Sequence, residues 1–150
     1  MEIREVQENE LNELLKLYLH LHSSDDSSPE NEVVKSIWHE IKSNPNLKYF
    51  GLYIKGKLVS SCTIIIVPNL TRGFRPYGVI ENVVTHNNFR RNSYGKAILS
   101  HALKYAWERN CYKVMLQTGR KDEGTYQFYE SVGFDRYAKK AFLAKPPKNS

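Results

Sequence analysis

The sequence predicts a mixed α/β domain of the α+β kind, in the order strand, two helices, three antiparallel strands, helix, strand, helix, two strands. Three observations lead there. Apolar residues recur at helical spacing in three stretches: Leu11 to Leu19, Val33 to Ile41, and Ile98 to Trp107. Lys48 to Ile54 and Leu58 to Val67 read as strands and flank Lys55-Gly56-Lys57, a hairpin signal. Val79 to Thr85 reads as a strand that runs through a basic, polar, glycine-containing segment into the third helical stretch.

In chain order, Ile3 to Val6 alternates apolar with polar and reads as an edge strand. Leu11, Leu14, Leu15, Tyr18 and Leu19 mark the apolar face of a first helix, with Asn9 as its cap. His20 and His22 follow at a spacing that does not share a helix face, which suggests surface residues rather than metal ligands. His22 to Ser28 is polar and reads as a loop. Ser27-Ser28-Pro29-Glu30 forms a helix start, with a capping box from Ser27 to Glu30. Val33, Ile37 and Ile41 then give a buried stripe with Trp38 at its edge, and the helix ends before Pro45. After the hairpin, Pro68 closes the second strand and Asn69 to Tyr77 forms a loop. The long helix runs to Asn110, Val114 to Leu116 is a strand, and Thr125 to Val132 is a short helix. Phe134 to Tyr137 and Ala141 to Ala144 read as a last pair of strands, before a frayed Lys145-Pro146-Pro147-Lys148 tail.

The chain has 150 residues, no internal repeat and no linker, so one domain over 1–150 is expected. Its apolar and charged fractions are those of a soluble globular protein rather than a disordered one. No apolar run reaches the length of a membrane span, and Met1-Glu2-Ile3-Arg4-Glu5 does not resemble a secretory signal. Two cysteines without such a signal point to free buried thiols and a cytoplasmic protein. No His/Cys/Asp cluster has ligand spacing, so no metal is expected. The net charge of +6 is compatible with nucleic acid, a membrane surface or an anionic small molecule, and charge alone does not choose among them.

The segment between the fourth strand and the third helix carries the chemistry. The first amides of a helix lack partners within it, and the helix dipole adds partial positive charge there. Gly95 allows close approach of the backbone, and Arg90, Arg91 and Lys96 add mobile charge. Together they suit a phosphate or diphosphate, although Ser93 also reads simply as an N-cap. The P-loop and the three-glycine dinucleotide fingerprint are both absent.

Arg90-x-x-Ser93-x-Gly95 resembles the acetyl-CoA signature of the GNAT superfamily of N-acetyltransferases, Arg/Gln-x-x-Gly-x-Gly/Ala, departing from it at Ser93. Gln127-Phe128-Tyr129-Glu130-Ser131-Val132-Gly133-Phe134 resembles the family's second signature, an aromatic-Tyr pair followed by Gly-Phe. The resemblance covers residues 78–137, and the two signatures are separated by the helix and strand that the family has between them. It implies a mixed, mostly antiparallel central sheet with helices on both faces, and acetyl-CoA as co-substrate. The backbone of Val83, Val84 and Thr85 would pair with the pantetheine arm. Arg90, Arg91, Asn92, Ser93, Tyr94, Gly95, Lys96 and Ala97 would hold the diphosphate. A Gly-x-Ile-Glu run at this strand is also similar to that of glucosamine-6-phosphate N-acetyltransferases.

Acetyl transfer to an amine requires proton removal from the amine, a polarised carbonyl and a proton for the leaving sulfur. Glu81 is the candidate base or substrate-orienting residue, since a carboxylate on a strand face shared with Val79 and Val83 needs a task or a partner. The bland alternative is a pair with Arg72 or Arg75. The resemblance implies that Tyr129 sits near the cofactor sulfur as the acid; the alternative is a core tyrosine beside Phe128. Asp122 and Thr125 stand where many relatives carry a cofactor-binding asparagine, so no strong contact is expected from them. Arg72 and Arg75, with Phe74 and Tyr77, suit an acceptor bearing a carboxylate or phosphate, or are solvated loop charge.

The expected function is therefore direct acetyl transfer to a small primary amine, by a monomer or homodimer that binds neither nucleic acid nor membrane. A non-catalytic acyl-CoA sensor and a basic nucleic-acid binder are the rival readings.

Overall fold

The computed structural model describes residues 1–22 and 29–148, and the capping box and loop expected at Ser23 to Ser28 lie outside the described residues. The chain divides into two compact units, 1–116 and 117–150.

The first unit holds a five-stranded sheet in the order β1(Glu2–Glu5), β2(Leu47–Ile54), β3(Lys57–Val67), β4(Tyr77–Thr85), β5(Val114–Leu116). The first three pairings are antiparallel, and β4 with β5 is parallel across the helix α3(Tyr94–Glu108). Lys55 and Gly56 both take positive φ, 49° and 78°, which is the two-residue hairpin turn whose twist matches that of the strands. Helices α1(Leu11–Tyr18) and α2(Asn31–Ser43) cover one face and α3 the other. Adjacent residues of β2 make this division visible. Tyr49 meets Trp38 of α2 edge-on at 5.5 Å, while Phe50 meets His101 and Tyr105 of α3 at 4.7 and 5.4 Å.

The helix stripes differ from those expected. Trp38 lies inside the core with Val6, Leu14, Leu17, Tyr53, Leu58 and Val84, and Ile41 packs against it. Val33 and Ile37 are about half exposed. An indole buries more apolar surface than either side chain, and the Trp38 Nε1–H donates to the Glu8 carbonyl at 2.9 Å, so rotating α2 to bury Trp38 is the better solution. In α1, Leu14 and Leu17 are buried, while Leu15 and Leu19 face solvent. Asn9 is not the cap there. It lies within a 3-10 turn, Glu8–Glu10, whose Glu10 carboxylate accepts from the Gln7 amide at 2.8 Å.

β4 is kinked at Asn82. Glu81 stands opposite Thr63 and Val84 opposite Ser61, so Asn82 and Val83 together span Cys62, and Asn82 takes φ 53°. This β-bulge inserts one residue and turns the side chains beyond it over. Ile80, paired with Ile64, belongs to the α3 face, whereas Val84 reaches the α1/α2 core.

The second unit is built on α4(Glu123–Val132). Asp122 caps its start, accepting from the Thr125 amide and hydroxyl, each at 2.8 Å. Gly133, at φ 115°, ends it: its amide donates to the Glu130 carbonyl and that of Phe134 to the Tyr129 carbonyl. This is the Schellman closure that requires a left-handed residue. The strands expected at Phe134–Tyr137 and Ala141–Ala144 do not form among the described residues. Asp135 instead accepts from the Tyr137 amide at 2.9 Å, making a local turn. Arg136 is drawn back to Glu123 and Glu130 of α4. Phe142 and Leu143 are largely exposed.

Candidate active site at the β4–α3 turn

β4 pairs with β5 only from Gly78 to Ile80, so among the described residues no strand covers Glu81 to Thr85 on that side. The open edge begins where the bulge begins, and it contains Val83, Val84 and Thr85. On its inner side, Val84 and Thr85 pair with Ser61 and Ser60 of β3. The Ser60 hydroxyl donates to the Val84 carbonyl at 3.0 Å and lies 2.9 Å from Thr85 Oγ1. The edge leads into a 3-10 turn, Asn87–Phe89, and then into the start of α3.

The conformation of this turn accounts for the glycine usual at the position of Ser93. Ser93 is the N-cap residue of α3 at φ 63° and ψ 17°, a left-handed geometry, and its side chain makes no capping bond. Arg91 is left-handed as well, at φ 66°. Gly95 lies in the helix and has no positive φ, so its value is the absence of a β-carbon. The first bond of the helix runs from the Ala97 amide to the Ser93 carbonyl at 3.0 Å. The amides of Arg91, Asn92, Ser93, Tyr94, Gly95 and Lys96 have no acceptor among the described residues. Left-handed residues in such a run turn successive amides toward one concavity, an anion-binding nest. No carboxylate lies within 4.0 Å of Arg91 or Lys96 among the described residues.

Arg90 and Asn92 hold the turn itself. Arg90 Nε and Nη2 lie 3.4 Å from the carbonyls of Thr85 and His20, and Asn92 Nδ2 donates to the carbonyls of Phe89 and Arg90. Sequence reasoning missed two further supports, His20 and His86. Their ring centroids lie 4.0 Å apart with the planes tilted by 36°. Nδ1 of His86 accepts from the Asn88 amide at 3.1 Å, and Nδ1 of His20 from the Asn87 amide at 3.3 Å. Burial, with His20 and Lys57 adding to it, lowers the pKa of His86 and keeps it a neutral acceptor.

Glu81 stands before the bulge on the α1/α2 face, opposite Thr63. It is exposed rather than interior, so burial does not demand a partner for it, and it pairs with neither Arg72 nor Arg75 among the described residues. Beside it lies a buried polar group that the sequence did not reveal. The phenols of Tyr18 and Tyr49 are both raised in pKa, chiefly by burial, and lie near the Thr63 hydroxyl. Tyr18 Oη and Thr63 Oγ1 nevertheless have no hydrogen-bond partner among the described residues. A buried hydroxyl without a partner is costly, and these lie close enough to one another for Thr63 to influence both phenols.

Arg72 and Arg75 lie beyond the other end of β4, over the ring of Tyr112. Both cysteines are buried free thiols. Burial pushes Cys62 up to about 12 and raises Cys111 as well, so neither supplies a thiolate nucleophile at neutral pH. Within the second unit, Tyr129 is half-buried between the rings of Phe128, at 5.1 Å, and Phe134, at 6.2 Å. Asp122 and Thr125 are used in capping. Among the described residues, no group of three or more His, Cys, Asp or Glu side chains is placed to hold a metal ion, and no helix is long and apolar enough to cross a membrane.

Residues 11–134 match the model of the acetyltransferase (GNAT) family. The chain belongs to the GNAT acetyltransferases. It is 30% identical over 136 residues to glucosamine 6-phosphate N-acetyltransferase of Trypanosoma brucei brucei, covering 89% of this chain and 88% of that protein. The solved structure of a "Putative acetyltransferase" from Agrobacterium tumefaciens str. C58 has a TM-score of 0.91 at 40% identity, over 97% of this chain and all of that one. Glucosamine-6-phosphate N-acetyltransferase of Arabidopsis thaliana, at 22% identity and a TM-score of 0.81 over 97% of each chain, shares the fold. The sheet and helices observed are those of the GNAT fold. The protein is thus an N-acetyltransferase, and GNAT acetyltransferases use acetyl-CoA as co-substrate. Among the described residues, the amides of the β4–α3 turn without an acceptor, with Arg91 and Lys96, supply the donors and positive charge a diphosphate requires.

Proposed function

We propose that this GNAT acetyltransferase moves an acetyl group from acetyl-CoA to the primary amine of a small acceptor by direct attack, working as one domain in the cytoplasm. The nest of bare amides at the start of α3 carries the reading, because it offers unsatisfied donors and positive charge where a diphosphate would lie. Val83, Val84 and Thr85 would bind the pantetheine arm along the open edge of β4. Ser93, Tyr94, Gly95, Lys96 and Ala97 would face the diphosphate with Arg91, while Arg90 and Asn92 hold the turn in shape.

In the transfer, the amine nitrogen forms a bond to the acetyl carbon as the carbon–sulfur bond breaks. Glu81 takes the amine proton, directly or through water; its exposure leaves the carboxylate accessible to an acceptor. Tyr129 supplies a proton to the leaving sulfur, a role supported by its place in the second signature. The burial of both thiols favours direct attack over an acyl-cysteine route. Amino sugars are the first acceptors to test, since the Trypanosoma brucei brucei relative is named for glucosamine 6-phosphate.

Free-thiol release from acetyl-CoA, followed across a panel of amines, tests the reading. At least one small primary amine should be acetylated. Tyr129→Phe should lower kcat about 10²-fold and leave KM for acetyl-CoA within twofold. A protein that binds coenzyme A tightly and turns over no amine would be a sensor instead.

A further inference from the structure

We propose that Thr63, backed by the phenols of Tyr18 and Tyr49, is a positioning residue that holds the Glu81 carboxylate in the orientation needed to take the acceptor's proton. The proposal rests on the reading of Glu81 as the base.

Register builds the group. Thr63 of β3 stands opposite Tyr49 of β2 on one side and opposite Glu81 of β4 on the other. Directly opposed residues of a sheet share a face, so the three form a row across the α1/α2 side, with Cβ atoms about 5 Å apart from strand to strand. Tyr18, the last residue of α1, brings its phenol to the same row beside Thr63. Both tyrosines pack against the core around Trp38, whose ring meets that of Tyr49 edge-on. Thr63 is 6% exposed, whereas Glu81 is exposed. The row therefore runs from the packed interior out to the point where the open edge of β4 begins.

Hydrogens decide the direction of the row. Burial raises both phenols, so at neutral pH each keeps its proton and is a donor. A threonine hydroxyl has two lone pairs and one hydrogen. Two phenols that give to Thr63 Oγ1 use the lone pairs and leave the hydrogen to be given onward. Of the three side chains around Thr63, Glu81 alone carries a carboxylate, which only accepts when ionised. The carboxylate meets no donor among the described residues. Tyr18 Oη and Thr63 Oγ1 meet no partner there either. Buried donors without an acceptor thus lie one strand away from an acceptor without a donor. Turning the Glu81 side chain is enough to join them, because register has already fixed the two backbones.

An exposed glutamate on a strand swings about three side-chain bonds, while a base works only within a narrow distance and angle of its proton. A hydroxyl held beneath it by two packed rings removes much of that freedom. Thr63 keeps its own hydrogen throughout. The amine's proton ends on Glu81, and none passes into the row.

Thr63→Val separates positioning from packing. It removes a buried hydroxyl that has no partner among the described residues, so the melting temperature should hold or rise. With an amine that the wild type acetylates, kcat should nevertheless fall about 10- to 100-fold, with KM for acetyl-CoA within about twofold. Thr63→Ser restores the hydroxyl and should recover kcat to within about threefold of wild type, and Tyr18→Phe should lower it about threefold. In the Glu81→Gln background, Thr63→Val should have no further effect. Full kcat in Thr63→Val, a serine variant that recovers nothing, or a loss that persists undiminished in Glu81→Gln overturns the positioning role while Glu81 remains the base. Full kcat in Glu81→Gln ends the reading of Glu81 as the base and this role with it. The Glu81 carboxyl carbon resonance, followed by NMR, reads the contact without turnover. It should move in Thr63→Val and return in Thr63→Ser, and an unmoved resonance overturns the contact.

Discussion

Arg4 and Arg72 show the two ways in which this chain treats a guanidinium. Arg4 finds its partners within the chain, with part of its side chain exposed. It makes two bonds to the Glu10 carboxylate at 2.7 and 3.1 Å, one to the Glu5 carbonyl and one to the Tyr53 hydroxyl, and it lies 3.9 Å over the Tyr53 ring. Arg72 shares an aromatic ring with Arg75 and Lys113 and meets no carboxylate among the described residues. Charge that the chain saturates itself serves its own folding. Charge that is crowded on rings without a carboxylate partner among the described residues keeps its donors open to solvent. The β4–α3 turn belongs to the second kind, with its unpaired amides and its left-handed Arg91 and Ser93.

The largest effect should come from Glu81, a bare group at the site. Glu81→Gln should lower kcat about 10²- to 10⁴-fold, as loss of a general base does, with the melting temperature unmoved because Glu81 is exposed. A parallel loss of thermal stability would place Glu81 among the saturated groups and break the contrast.

Arg4→Ala should do the reverse. Arg4 holds the Glu10 carboxyl at about 2, far below its ordinary 4.5, chiefly by hydrogen bonding. The stability this supplies is complete above 4.5 and is lost as pH falls toward 2. Discounted for the partial exposure of Arg4, about 2 kcal/mol should disappear in urea unfolding at pH 7. Kinetic constants should be retained, and the variant's stability should depend less steeply on acid.

Ser93→Gly sharpens the comparison at smaller scale. Glycine relieves the left-handed strain, so stability should rise by about 0.5 kcal/mol with KM for acetyl-CoA unchanged or lower. A loss of stability would show that the serine side chain supports the turn.

His86 should give the smallest effect. Its lowered pKa means that its contribution is present above the ordinary value of 6.5 and is lost as pH falls through the depressed one. Protonation removes the Nδ1 acceptor for the Asn88 amide and places charge beside His20 and Lys57. Urea midpoints at pH 7.5 and 5.5 should differ by the equivalent of a few tenths of a kcal/mol, and His86→Asn should flatten that difference while keeping a cap.

Much of the fold and part of the site can be read locally. The Lys55-Gly56 hairpin and the Pro68 stop follow from turn chemistry. The second signature is legible for a physical reason, since Gly133 provides the left-handed closure and Phe134 then meets Tyr129. The stripe on α2 was misread because periodicity shows that a face exists, while competition among Val33, Ile37 and Trp38 for the core decides which face wins. The two C-terminal strands were misread because an extended-looking run becomes a strand only with a ladder partner, and Asp135 and Arg136 find nearer partners.

By itself the sequence determined the alternation of strands and helices, the turn that opens α3 and the pair of signatures that mark a GNAT acetyltransferase, because each depends on residues close together in the chain. Tertiary structure alone decided the bulge at Asn82, the end of β4–β5 pairing at Ile80, the close approach of His20 and His86 and the meeting of Lys113 with Arg72 and Arg75. Those features join residues tens of positions apart. Register and packing across the sheet bring them together, and local pattern alone does not say which distant residues meet.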